Sequence, residues 1–146
     1  LPSVENIEGF VSAHQVAITQ LAFDYCNIMI EDSTLRSAFF GNGFDFNANM
    51  ATAFANKSAT IDALATSLYN KMIGSNIGTG PTYTEVRTEL SSTVDADGDT
   101  KGDGLYEQLD GYCPTAVTNC DDAARTRTIV KSMCTAVLGS AAMLIQ

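Results

Sequence analysis

The sequence predicts an all-α protein, a bundle of four to five helices forming one domain over residues 1–146. Three observations lead there. Apolar residues recur at three- and four-residue intervals through several stretches. Capping residues precede these stretches and glycines follow some of them. No segment of useful length alternates apolar with polar residues as a half-buried strand would, and no internal repeat emerges.

The elements follow in order. Residues 5–31 read as one long helix with an apolar stripe of Ile7, Val11, Ile18, Leu21, Tyr25 and Ile28. Ser3 is placed to cap it, and Glu5 and Glu8 suit the positive end of the helix dipole. Ser33 reads as the cap of a short second helix, "TLRSAFF", stopped by Gly41-Asn42-Gly43. The stretch "FDFNANMATAF", residues 44–54, is ambiguous, with aromatic residues expected to plug the core. A third helix is expected from about Lys57 to Ile73, with Ile61, Leu64, Leu68 and Met72 on one face and Gly74 as a left-handed terminus. Thr82-Tyr83-Thr84-Glu85 matches a capping box and opens a fourth helix to about Thr93, with Val86 and Leu90 inward. The last helix is expected from Asp121-Asp122 to about Leu144, with Ile129, Met133, Val137, Leu138, Ala141 and Ile145 as its stripe.

Composition narrows the function classes. A hydrophobic fraction of 45% against 17% charged residues describes an ordered globular chain. No apolar run reaches the roughly 18 residues of a membrane helix. Leu1-Pro2-Ser3 reads as a processed or trimmed start, with no leader-like segment in view. The net charge is -9, and residues 95–110, with six acids and one lysine, carry -5 of it. A chain with that balance repels phosphate backbones and anionic membrane surfaces, so nucleic acid is excluded as a partner.

Cys26, Cys113, Cys120 and Cys134 lack CxxC spacing, which suggests two disulfides and an exported protein in an oxidising compartment; the alternative is four buried thiols. If the last helix starts near residue 121, Cys120 and Cys134 lie roughly 20 Å apart on one rod. A disulfide needs Cα atoms within about 7 Å, so that pairing is excluded together with Cys26–Cys113. Cys113–Cys120 with Cys26–Cys134 is the preferred of the two remaining schemes.

The candidate chemistry lies in "VDADGDTKGDGLYEQLD", residues 94–110. Calcium takes six to eight oxygen ligands on a backbone that curls around it. Asp95, Asp97 and Asp99 match positions one, three and five of an EF-hand loop, the Lys101 carbonyl position seven and Asp103 position nine. Position six is Thr100 instead of glycine, and position twelve is Tyr106 instead of glutamate, with Glu107 one step late. The pattern is therefore closer to looser DxDxD-G loops than to an EF-hand. Calcium is the expected ion, and a solvated acidic loop is the alternative.

Other sites are weaker. The single histidine, His14, falls on the first helix's stripe and reads as a core residue; a metal or non-covalent haem ligand is the sharper alternative. No base is placed for a serine or cysteine nucleophile, and no glycine loop cradles phosphate, so the chain does not read as an enzyme. The tail "CTAVLGSAAMLIQ" is nearly uncharged and rich in small residues. It fits a buried core helix, or one that also faces another subunit.

"SAHQVAITQLAFDYCN", "FFGNGFDF" and "ARTRTIVKSMCTAVLGSAAMLIQ" together resemble the helical, cysteine-bearing C-terminal region of large secreted bacterial surface proteins with LamG-type domains. The resemblance implies export, a disulfide between the first and last helices, and a structural role within a longer polypeptide. It transfers no catalytic residue. The expected function is an extracellular structural module: a filament or surface-assembly subunit, self-associating or docking to other surface proteins. The alternative is a small helical binding protein for an apolar ligand or haem.

Overall fold

The computed structural model describes residues 7–74, 80–110 and 120–140, with side chains from residue 15 onward. Among these residues the secondary structure is helical and no strand forms. The helices are α1 (Ile7–Glu31), α2 (Ser33–Phe40), α3 (Met50–Ala53), α4 (Lys57–Leu68), α5 (Tyr83–Leu90), α6 (Leu105–Asp110) and α7 (Ala123–Leu138). A π-helical turn, Tyr69–Ile73, continues α4.

Local chemistry sets the helix starts. Asp32, not Ser33, caps α2: its Oδ1 accepts from the Thr34 and Leu35 amides at 2.8 and 2.9 Å. A carboxylate serves two orphan amides at once and also suits the dipole. Asn49, Asn56 and Asp122 cap α3, α4 and α7 through their side chains. The capping box at α5 forms as expected: the Thr82 amide donates to Glu85 Oε2 at 2.7 Å, and the Glu85 amide to Thr82 Oγ1 at 3.3 Å. The Thr82 amide, and then the Thr82 hydroxyl, which also donates to Glu85 Oε2, hold the Glu85 carboxyl below its usual range.

The core is built around α7. Thr126, Ile129, Val130, Met133, Cys134 and Val137 are all buried, a face wider than the single stripe read from the sequence. Helix α1 runs antiparallel to it. Glu31 lies beside Arg127 and Lys131, Cys26 is bonded to Cys134, and Ala22 approaches Gly139. The Cys26–Cys134 Cα atoms are 5.8 Å apart. This bond removes the scheme that paired Cys26 with Cys120. The expected Cys113–Cys120 pair falls on Cys113, outside the described residues.

The face of α1 is where the sequence reading fails most. Its buried side is Ala22, Cys26, Met29 and Ile30. The expected inward residues Leu21, Tyr25 and Ile28 are 69%, 53% and 62% exposed. The close contact with α7 runs through the disulfide and the small residues Ala22 and Gly139, so the larger residues are rotated outward. The side chains of Ile7, Val11 and His14 lie outside the described residues.

The remaining elements close over α7. Ile61, Leu64, Ala65 and Leu68 of α4 are buried, and the π turn brings Ile73 inward as well. Its bond from the Gly74 amide to the Tyr69 carbonyl, 2.8 Å, spans five residues, and Gly74 takes φ +79°. The ambiguous stretch 44–54 supplies Phe46, Met50 and Phe54 to the core. Phe44 and Phe46 meet edge to face at 4.6 Å, and Phe54 packs on Tyr106 at 4.9 Å. Thr126 Oγ1 donates to the Ala48 carbonyl at 2.9 Å, and Asp121 Oδ1 accepts from the Ala51 amide at 2.9 Å, tying this stretch to the start of α7.

Three boundaries differ from expectation. Helix α5 ends at Leu90, where Ser91 turns extended. Helix α6 was not expected within the acidic stretch. Helix α7 ends at Leu138, and the expected stripe residues Ala141 and Ile145 lie outside the described residues.

Candidate functional site

The acidic loop leaves α5 and returns into α6. Its base is closed by backbone bonds from Asp103 to the Val94 carbonyl, 2.7 Å, and from Gly104 to the Ser92 carbonyl, 3.3 Å. Two glycines permit this approach. A Cβ on Gly102 would stand 2.0 Å from the Ser92 carbonyl oxygen, and one on Gly104 would stand 2.1 Å from the Ser92 nitrogen.

Within the loop, aspartates organise the backbone. Asp95 Oδ1 accepts from the Gly98 and Asp99 amides at 2.7 and 3.1 Å, and Oδ2 from the Thr100 amide at 3.0 Å. Asp97 Oδ1 accepts from the Asp99 amide, and Asp99 Oδ1 from the Lys101 amide. Carboxylate oxygens of Asp95, Asp97 and Asp99 lie within 4.8 Å of one another, and all three residues are exposed. Asp103 instead folds back, Oδ2 accepting from the Ala96 amide at 2.9 Å. Lys101 is exposed. The structure thus groups three of the five sequence-predicted ligand residues.

The departures from the EF-hand pattern have structural answers. Thr100, at the sixth position, takes φ +74°. The backbone therefore makes the turn that glycine usually makes, with a β-branched residue strained in its place. Tyr106, at the twelfth position, is a core residue, only 6% exposed, and burial first, then the Asp110 and Glu107 charges, push its hydroxyl up to about 12. It is no ligand.

Glu107 is likewise committed elsewhere. Its Oε1 accepts from Lys57 Nζ at 3.0 Å and Ser91 Oγ at 2.7 Å, and its Oε2 from the Ser92 amide at 3.1 Å. Burial raises its pKa, but the bonds from Ser91 and Lys57 prevail and the net shift is downward. This clamp pins the end of α5 to α6 and holds the loop's base. The sequence signalled Glu107 only as a late calcium ligand.

The second candidate is a surface. Besides Leu21, Tyr25 and Ile28, α1 exposes Val16 at 70% and Phe23 on its other flank. Large apolar side chains in such a cluster mark contact sites. A groove beside the first set is lined by Ile18, Leu21, Tyr25, Phe39, Met72 and Leu138, with Lys71 as its cation. A separate apolar cavity of about 550 Å³ is lined by Ile73, Val86, Leu90, Leu105 and Val137, with Glu85, Glu89 and Asp103 among its polar residues.

No helix among the described residues is long and apolar enough to cross a membrane. No known family matches the chain, and comparison with curated proteins and with solved structures finds no significant match.

Proposed function

We propose that this chain is an extracellular structural module that works by contact, as a self-associating subunit of a filament or surface assembly. The observation that carries the reading is the exposed apolar face of α1, on a helix bolted to the core by Cys26–Cys134. A rigid helix presenting Leu21, Tyr25 and Ile28 to water is suited to burying them against another molecule. The disulfide is compatible with an oxidising compartment. A second bridge, Cys113–Cys120, belongs to the same proposal, as does kinship with the helical region of secreted bacterial LamG-type surface proteins. Calcium in the 95–103 loop would offset the repulsion among Asp95, Asp97 and Asp99.

Light scattering with negative-stain microscopy on the oxidised protein tests the assembly reading. Particles of two or more chains are expected; a 15.5 kDa species at every concentration up to about 1 mM overturns it. Isothermal titration after chelation tests the ion. Heat and a raised melting temperature are expected, and their absence ends the calcium assignment.

The roughly 550 Å³ cavity favours a second reading, a binding protein for an apolar ligand. It requires a bound molecule in the purified protein, detectable by native mass spectrometry; haem would add visible absorbance.

A further inference from the structure

The glycine-rich stop of α2 contains a pair of residues that the fold leaves unengaged. Asn42-Gly43 is the single Asn-Gly step in the sequence. Both residues are exposed, and a Cβ built on Gly43 meets nothing within 4 Å. Among the described residues, neither the Asn42 side chain nor the Gly43 amide takes part in a hydrogen bond. Their neighbours are anchored. The Gly41 amide donates to the Ser37 carbonyl at 2.9 Å, and the Phe44 ring packs on Phe46 and Phe54. Residues 42 and 43 are the unbonded link between these two fixed points.

We propose that Asn42 is a site of self-modification: it loses its side-chain amide to attack by the Gly43 nitrogen, with water as the only co-reactant. The Gly43 nitrogen bonds to Asn42 Cγ. The Cγ–Nδ2 bond breaks, and Nδ2 leaves as ammonia, carrying the proton that the Gly43 nitrogen gives up. The product is a cyclic imide. Water then opens it. Opening at Cγ leaves aspartate. Opening at the main-chain carbonyl of residue 42 leaves isoaspartate, whose backbone runs through Cβ and Cγ and is one atom longer. No atom changes oxidation state.

The requirements of this reaction are met at Asn42. The nucleophile is a peptide nitrogen, and an N–H already bonded within the fold is held away from that role. The Gly43 N–H is open to solvent. Its nitrogen must close on Cγ, and a residue without a Cβ lets the backbone make that approach. Exposure of the pair admits the water that opens the imide.

The same ring closure is conceivable at aspartate-glycine steps, and there the structure opposes it. The Gly98 amide, which follows Asp97, donates to Asp95 Oδ1 at 2.7 Å, and Asp97 Oδ1 accepts from the Asp99 amide. The Gly104 amide, which follows Asp103, donates to the Ser92 carbonyl, and Asp103 Oδ2 accepts from the Ala96 amide. Asn49 and Asn56 are held as helix caps through their side chains. At Asn42 both the attacking nitrogen and the carbonyl it attacks are uncommitted.

The change has a structural consequence. Conversion takes the net charge from -9 to -10 and places the new carboxylate just past the C-terminal end of α2, the negative end of its dipole. That end already holds a cation, since Lys71 Nζ donates to the Ala38 and Phe39 carbonyls. The isoaspartate branch also lengthens the link to Phe44, which packs against the core.

Peptide mapping by mass spectrometry tests the proposal on the oxidised protein, held folded at body temperature and mildly alkaline pH. Electron-transfer fragmentation separates aspartate from isoaspartate. Asn42 is expected to convert at least about 10-fold faster than Asn49 or Asn56, and both products should form. Gly43 has a negative φ and open space around it, so Gly43→Ala should fold as wild type and slow the conversion at least about 10-fold. Circular dichroism and melting confirm that it folds. The reduced chain in urea supplies the rate without a fold. Asn42 that converts more than about 10-fold slower in the folded protein than in urea overturns the proposal, because the loop then holds the nitrogen away from Cγ. Equal rates in wild type and Gly43→Ala, with aspartate as the sole product, overturn it as well, because ammonia is then lost by direct hydrolysis.

Discussion

Cutting the Cys26–Cys134 bond is the perturbation with the largest expected effect on the fold. The bond closes a loop with a sequence separation of 108. Cross-linking removes that loop's closure entropy from the unfolded chain, which for about 100 residues is worth about 4.7 kcal/mol at 25 °C in the chain-entropy account. Both sulfurs sit where the residues are 0% exposed, at the contact of α1 with α7. The Cys26→Ala/Cys134→Ala variant should therefore lose roughly 5 kcal/mol, a large fraction of a typical domain's stability. For a chain of this size the melting temperature should fall by roughly 10–20 °C. Urea unfolding followed by far-ultraviolet circular dichroism measures the loss. The midpoint should fall and the slope m should rise, because the unfolded chain without the cross-link exposes more surface. A variant within 1 kcal/mol of wild type would refute the reasoning: α1 would then be held by packing alone.

Further outcomes are expected at the loop and its clamp. Glu107→Ala leaves Ser91 Oγ and the Ser92 amide without their acceptor and should cost about 2–4 kcal/mol by chemical denaturation. The Glu107 carboxyl is held below its ordinary range in the folded protein by its bonds from Ser91 and Lys57, against the opposing effect of burial, so the unfolded chain binds more protons. Its stabilisation is present above the ordinary glutamate pKa of the unfolded chain and is lost as pH falls through the folded pKa; Glu107→Gln should flatten this acid limb of the stability profile. Gly104→Ala drives a Cβ against the backbone of Ser91 and Ser92 and should destabilise by about 1–3 kcal/mol. Thr100→Gly relieves a β-branched residue at positive φ and should stabilise by about 1 kcal/mol, read as a rise in melting temperature.

Much of the chain was legible because its signals are local. The Thr82–Glu85 capping box, the Val86 and Leu90 face of α5, and the Ile61, Leu64 and Leu68 face of α4 depend on residues within a turn or two of one another. Helix length against disulfide reach excluded Cys120–Cys134 and Cys26–Cys113 and left two schemes, of which the structure shows the preferred Cys26–Cys134 bond. The crowding of Asp95, Asp97 and Asp99 was visible because alternate acids in a glycine-rich loop have few other places to point.

Tertiary structure decided what local chemistry cannot. Periodicity detects that α1 has an apolar stripe, but not whether the fold covers it. The small residues and the disulfide put Ala22 and Cys26 against α7, and Leu21, Tyr25 and Ile28 were left in water. Glu107 looked like part of an ion site until Lys57, some 50 residues away, and Ser91 claimed its oxygens. Tyr106 looked like a failed ligand until its ring met Phe54. Each outcome turns on a partner distant in sequence. Helical spacing reports how a segment is amphipathic, whereas burial depends on which surface arrives to meet it.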